Sequence, residues 1–199
     1  MGAISGLENK PLLSGKSIKN ISKNGGLIVV GSYVPTSSLQ LSHLIADRPE
    51  IQSIEIQVDQ ILNSENQSIH WKHYAKQINE LLLNGKTVVV FTSRTLVRVT
   101  SEKENQEIGK TVSHFLTQII SHLTTCPSYL LTKGGITSSD IATKNLGIKR
   151  AIVKGQIIKG VPVWELGEET KFPKSHQIIF PGNVGTENSL TEVVDKLML

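Results

Sequence analysis

The sequence is short of several features that would commit it to a specialised class. It has one cysteine, Cys126, among 199 residues, so no internal disulfide can form and a reducing compartment, the cytoplasm, is expected. No apolar run approaches the ~20 residues needed to span a bilayer, and the first 26 residues lack the apolar core of a secretory signal, so no membrane association is expected. Aromatic residues make up 5% of the chain. The 21 Lys and Arg exceed the 17 Asp and Glu by only 4 and are scattered along the chain. Nucleic-acid binding would call for a clustered basic face with interleaved aromatics, so nucleic acid is not an expected partner.

Familiar catalytic and cofactor signatures are missing too. The chain has no Gly-x-x-x-x-Gly-Lys-Ser/Thr loop, no Gly-x-Gly-x-x-Gly opening a helix after the first strand, and no Gly-x-Ser-x-Gly elbow. This excludes a P-loop enzyme, argues against a nicotinamide-dependent dehydrogenase, and leaves Cys126, which precedes Pro127, as a structural residue.

What is present is an alternation of apolar runs and helical periodicities. Leu27-Ile28-Val29-Val30, bounded by Gly26 and Gly31, reads as a strand buried on both faces, as does Thr87 to Phe91. Ile54 to Val58 alternates with period two, the pattern of a strand near a sheet edge. Helical spacing covers Leu41 to Ile45, Ile69 to Leu83 and Val112 to Leu123, with residues 98–110 expected as a loop leading into the last of these. Ala151 to Val153 reads as a strand, Gly155 to Val163 carries turn signals at Gly155, Gly160 and Pro162, and Gln177 to Phe180 reads as the last strand before a helix capped by Thr186. The fold class expected is α/β: three layers, α/β/α, around a mostly parallel or mixed, Rossmann-like sheet.

The segment from Leu131 to Gly147 carries the chemistry. A strand ends there, Gly134-Gly135 allow an unobstructed tight turn, and Thr137, Ser138 and Ser139 are N-cap types ahead of Ile141, Ala142 and Leu146. Strand, glycine turn and hydroxyl-rich helix start form an anion site, because free N–H groups and the positive end of the helix dipole meet there. The other reading is an ordinary strand-to-helix connection. Two further strands end in glycine turns, Gly31-Ser32 and Gly182-Asn183-Val184-Gly185. If all three share one sheet edge they line one anionic pocket, since ligands of such sheets sit at the carboxyl ends of the strands.

Metal ligands are not evident. His70 and His73, at i and i+3, flank Trp71 and are expected in solvent; His114 and His122 are expected at the surface or in helix packing. Asp140 is expected on the first turn of its helix, where it complements the dipole or steers a magnesium ion. Pro162 and Trp164 either wall a purine or pack in the core.

Taken together, these residues resemble the carboxyl-terminal nucleotide-binding domain of the four-carbon acid sugar kinases. The pieces that carry the resemblance are Gly31-Ser32 with Thr36 and Gln40, Lys133-Gly134-Gly135-Ile136-Thr137-Ser138, Gly160-Val161-Pro162, and Pro181-Gly182-Asn183-Val184-Gly185. They span residues 27–199, expected as the nucleotide-binding domain, with residues 1–26 as a linker or domain junction. The resemblance implies that ATP, with Mg2+, binds at Ser32, Thr36, Gln40, Lys133, Gly134, Gly135, Ile136, Thr137, Ser138, Gly182, Asn183 and Gly185. It assigns no catalytic residue here. Ile136 departs from the family, which often has Glu or Asp there, and bears on any metal or ribose contact of that carboxylate. The sugar acid and the general base belong to an amino-terminal domain, expected as a partner in cis or in trans, with phosphoryl transfer absent without it; a homodimer is carried as a further partner expectation. The alternative reading is a non-catalytic nucleotide-binding module.

Overall fold

The structure, a computed structural model, describes residues 11–18, 22–63, 67–93 and 102–198. Seven strands form one mixed sheet: β1 (Leu27–Val30), β2 (Gln52–Ile56), β3 (Val88–Thr92), β4 (Leu130–Lys133), β5 (Ala151–Ile158), β6 (Val161–Leu166) and β7 (His176–Phe180). Their spatial order is β2-β3-β1-β4-β7-β6-β5. The first five are parallel, and β6 runs antiparallel to both its neighbours. The helices are α1 (Pro35–Asp47), α2 (Val58–Asn63), α3 (Gln67–Leu83), α4 (Glu102–Ser121), α5 (Gly135–Asp140), which continues as a π-turn over Ile141–Asn145, and α6 (Ser189–Met198). The expected α/β/α architecture with a mixed sheet is observed.

Alternation along β1 shows how the layers are built. Leu27 and Val29 pack with residues of α2, α3 and α4 and with Ile141 and Leu146 after α5, whereas Ile28 and Val30 pack with α1 and α6. Each face of the sheet therefore has its own core, and an all-apolar strand is what two buried faces require. On the first face Phe115 is fully buried, with its ring centroid 6.0 Å from Trp71 and 6.2 Å from Tyr74. On the second, Arg48 after α1 holds Asp195 of α6 through two hydrogen bonds, of 2.7 and 2.6 Å.

Several expectations need correction. Of the turn signals at Gly155, Gly160 and Pro162, only Gly160 lies in a turn, the tip of a β5–β6 hairpin; Gly155 and Pro162 lie in its strands. Gly155 has φ +151 beside one register shift and Pro162 pairs near a second. A strand tolerates glycine and proline at bulges, where the ladder is already interrupted. Helix α4 begins at Glu102, inside the stretch read as a loop; residues 98–101 lie outside the described residues. Helix α2 had no counterpart in the sequence reading.

Of the opening segment, residues 1–10 and 19–21 lie outside the described residues. Parts of the rest are tied to the fold: the Leu13 N–H donates to the Gln156 carbonyl at 2.8 Å, Ile18 is buried, and the Gly25 N–H donates to the Leu82 carbonyl at 2.9 Å. His114 and His122 stand with ring centroids 6.1 and 6.2 Å from Trp71, so they pack helix against helix. His70 and His73 are exposed, as expected.

Replacing Phe115 by Ala removes the ring on which Trp71 and Tyr74 rest. A loss of about 3–5 kcal/mol in unfolding free energy is expected, read by denaturant titration; a loss below 1 kcal/mol would mean that α3 and α4 close over the gap.

Candidate nucleotide site

The site grows out of a reversal in the sheet. From β1 the chain passes to α1 on one face; from neighbouring β4 it passes to α5 on the other. Connections that leave adjacent parallel strands in opposite directions open a crevice between them at their carboxyl ends. β7, next to β4, ends at the same edge. The three glycine turns therefore lie side by side, as required by the single-pocket reading.

They are packed so closely that glycine is demanded at two points. A Cβ on Gly31 would overlap the hydroxyl of Thr137. Gly134 has φ +114, and a Cβ there would stand 2.9 Å from Ser32 Cβ. Backbone bonds fix the order: the Gly31 N–H donates to the Lys133 carbonyl at 3.2 Å and the Gly134 N–H to the Phe180 carbonyl at 2.9 Å.

Two helices begin at this edge. α5 starts at Gly135, not at Thr137 to Ser139; its N-cap is Gly134, with no side-chain cap. Its first intrahelical bond is from the Ser138 N–H to the Gly134 carbonyl, so the N–H groups of Gly135, Ile136 and Thr137 have no partner within the helix. α1 starts with Pro35 at its first position, and Thr36 lies on its first turn.

The candidate residues divide into two groups. Gln40 is buried and its amide donates to the carbonyls of Val184 and Thr186, at 3.0 and 2.6 Å. Ser138 is buried and donates to the carbonyls of Thr132 and Gly134, at 3.0 and 2.7 Å. Lys133 is buried, with Nζ donating to the carbonyls of Pro181 and Gly182, at 2.8 and 3.2 Å. Gly185, at φ +83, is packed on Ser189. These residues tie loops together. Ser32 stands at the junction of the turns, with the Ser37 hydroxyl 2.9 Å away, while Gly135, Ile136 and Asn183 are exposed.

A cleft of about 600 Å³ opens beside the crevice, between α4, α5 and the turn after β1. Of the candidates only Ile136 and Thr137 line it, with Gly31. The opposite wall is α4, where Gly109, Ser113 and Thr117 recur every four residues and leave room between the helices. That wall escaped the sequence reading, although small residues at helical spacing were a usable signal. Tyr33, 58% exposed, and Ile136, 75% exposed, give the mouth an apolar rim; Lys110 and Lys144 also line the cleft, ion-paired with Glu107 and Asp140.

Asp140 also lines the cleft, but it is the last residue of α5, not part of its first turn. Its carboxylate accepts from Ser113 at 3.0 Å and pairs with Lys144 at 2.7 Å. Burial raises its pKa, but the bonds from Lys144 and Ser113 outweigh that and hold it below the usual carboxylate value. Among the described residues no group of three His, Cys, Asp or Glu side chains could hold a metal ion. Trp164 packs half-buried against the core of the α3 and α4 face and is not among the residues that line the cleft. The Gly160 turn does approach the site loop: a Cβ there would lie 3.2 Å from Val184.

Residues 27–190 match the family model described as the nucleotide-binding C-terminal domain. The chain belongs to that family. The match bears out the resemblance drawn from the glycine turns. No curated protein matches the sequence. Among solved structures, the family fold recurs in a domain of unknown function (DUF1537) from Bordetella bronchiseptica, described as a domain-swapped dimer with bound citrate. It aligns at TM-score 0.67 and 12% identity over 87% of this chain and 41% of that one. A DUF1537 protein of Haemophilus influenzae aligns at TM-score 0.63 and 18% identity, over 87% of this chain and 40% of that one. The chain thus spans about two fifths of the length of these structures. Among the described residues no helix is long and apolar enough to cross a membrane.

Gly134→Ala forces a side chain into φ +114 against Ser32. The expected cost is roughly 1–3 kcal/mol, measured as a lower urea midpoint at unchanged slope; an unchanged midpoint would show that the turn relaxes freely.

Proposed function

We propose that this domain is the ATP-binding half of a kinase acting on four-carbon sugar acids. The observation that carries the reading is the meeting of three glycine turns and two helix starts at the crevice between β1 and β4, beside a cleft of about 600 Å³. A polyphosphate there would meet the N–H groups of Gly135, Ile136 and Thr137, which the helix leaves over, and the positive ends of two helix dipoles. Ser32 and Thr36 supply hydroxyls at the same edge, and Asn183 an amide from the loop after β7. The nucleoside would occupy the cleft, its base against Tyr33 and Ile136.

Magnesium fits this site only as a companion of the nucleotide. Among the described residues the one carboxylate lining the cleft, Asp140, is already engaged by Lys144 and Ser113. The ion would neutralise phosphate charge when bound with ATP. The residues of this chain would hold and orient the donor. Phosphoryl transfer depends on positioning both reactants. The acceptor and its base would come from an amino-terminal domain, in cis or in trans, and the greater length of the related structures supports that division.

A second reading, a nucleotide-binding module without catalysis, is favoured by Ile136, whose apolar side chain is 75% exposed at the cleft mouth. Calorimetry separates the two. The kinase half is expected to bind Mg-ATP with millimolar or tighter affinity and to weaken about tenfold without magnesium, a loss of about 1.4 kcal/mol; binding indifferent to the metal favours the module. ATP-dependent phosphorylation of a tetronate is expected only after mixing with a sugar-acid domain, and its absence across tetronates and oxo-tetronates would count against the kinase reading.

A further inference from the structure

Lys133 is the one described lysine with no solvent exposure, and it has no described carboxylate within ion-pair distance. Its ammonium is held by the Pro181 and Gly182 carbonyls, at 2.8 and 3.2 Å, and lies 4.0 Å from the centroid of the Phe180 ring. Partial charges and a ring face compensate a buried cation less completely than a carboxylate would. Burial accordingly draws its pKa down to about 8.

The Gly182 carbonyl is shared. The Ser37 hydroxyl stands 2.9 Å from it and 2.9 Å from Ser32 Oγ. Ser32 in turn limits Gly134, where a Cβ would meet it at 2.9 Å. A continuous chain of contacts therefore runs from Lys133 through Gly182 and Ser37 to Ser32, joining the ends of β4, β7 and β1. The lysine stands beneath the rim, turned towards the protein's own backbone.

We propose that Lys133 is a positioning residue of the nucleotide site: its charge clamps the loop after β7 against the turn after β1 and supplies the buried positive potential on which a bound phosphate relies. The inference rests on the nucleotide reading given above. Because an anion on the rim favours the charged lysine, binding and protonation reinforce each other. The folded-state pKa is depressed, so the charge is present below about pH 8 and is lost as pH rises through it. Affinity for a polyphosphate must fall in the same direction.

Other ionisable groups near this face do not account for such a profile. β1 carries none, and β7 carries only His176 at its far end, 3.9 Å from Glu165. On α6, Asp195 is held by Arg48 and Glu192 by Lys196. His43 and Asp47 lie further along α1, and Glu187 is exposed. Asp140 and Lys144 belong to the opposite face and pair with each other.

Calorimetric titration of the full chain with Mg-ATP, in buffers of different ionisation enthalpy, tests this. Wild-type affinity is expected to fall about tenfold between about pH 7 and pH 9, with net proton uptake near pH 8. Lys133→Met should bind about tenfold more weakly at neutral pH and lose the pH dependence, and Lys133→Arg should recover affinity while staying level with pH. Wild-type binding that is level with pH and takes up no proton overturns the inference alone, as does Lys133→Met with wild-type affinity and profile. Absence of Mg-ATP binding by the wild type at every pH overturns the nucleotide reading and this inference with it. If Lys133→Met does not fold, the wild-type proton uptake decides.

Discussion

Three backbone turns approach one another at the carboxyl edge of β1, β4 and β7 more closely than side chains would permit, and this contact sets the character of the molecule. Gly31 leaves space for Thr137, Gly134 for Ser32, and the carbonyl of Phe180 receives the Gly134 N–H. The strands beneath must be in register for this to happen, with Val30 opposite Lys133 and Lys133 opposite Phe180. Two separately filled cores hold that register, because slipping a strand by one residue would exchange its two buried faces.

From that arrangement the site acquires two unlike sides. Towards α1 and α6, hydroxyl, amide and ammonium groups are spent on backbone carbonyls, through Ser37, Gln40 and Lys133. Towards α4 and α5 the edge is open, with N–H groups at a helix start and a cleft behind them. One side is scaffold and the other is open. Seven polar side-chain atoms among the described residues are buried without a partner, Gln40 Oε1 and Gln177 Oε1 included, so the scaffold is not fully saturated.

Much of the fold was legible because its strands are short apolar runs fenced by glycine, as Leu27 to Val30 is, and because α6 shows its apolar face plainly in Leu190, Val193, Val194 and Leu197, all buried. β6 was not legible, since Gly155 and Pro162 signal a turn unless one knows that the hairpin is bulged beside them. The start of α5 was misplaced by two residues because Thr137 and Ser138 have capping chemistry, yet their hydroxyls turn to Gly31 and to backbone carbonyls while a glycine caps the helix. Local sequence also says nothing of which way a long side chain turns. The resemblance put Lys133 among the nucleotide-binding residues; tertiary structure directs its side chain to the loop after β7. The α4 wall of the cleft depends on a partner helix in another part of the chain, and so had no local signature beyond its small residues.

The irregular β5 strand has a consequence for how copies of the molecule can meet. It forms one margin of the sheet, its pairing with β6 shifts twice, and the Gln156 carbonyl is already taken by Leu13. Ile152 and Val153 are exposed there, but Arg150 and Lys154 flank them. A second chain seeking to extend the sheet would find an interrupted set of donors and acceptors, a blocked acceptor and like charges facing it. Growth by adding strand to strand is thereby discouraged at the margin where apolar side chains would otherwise invite it.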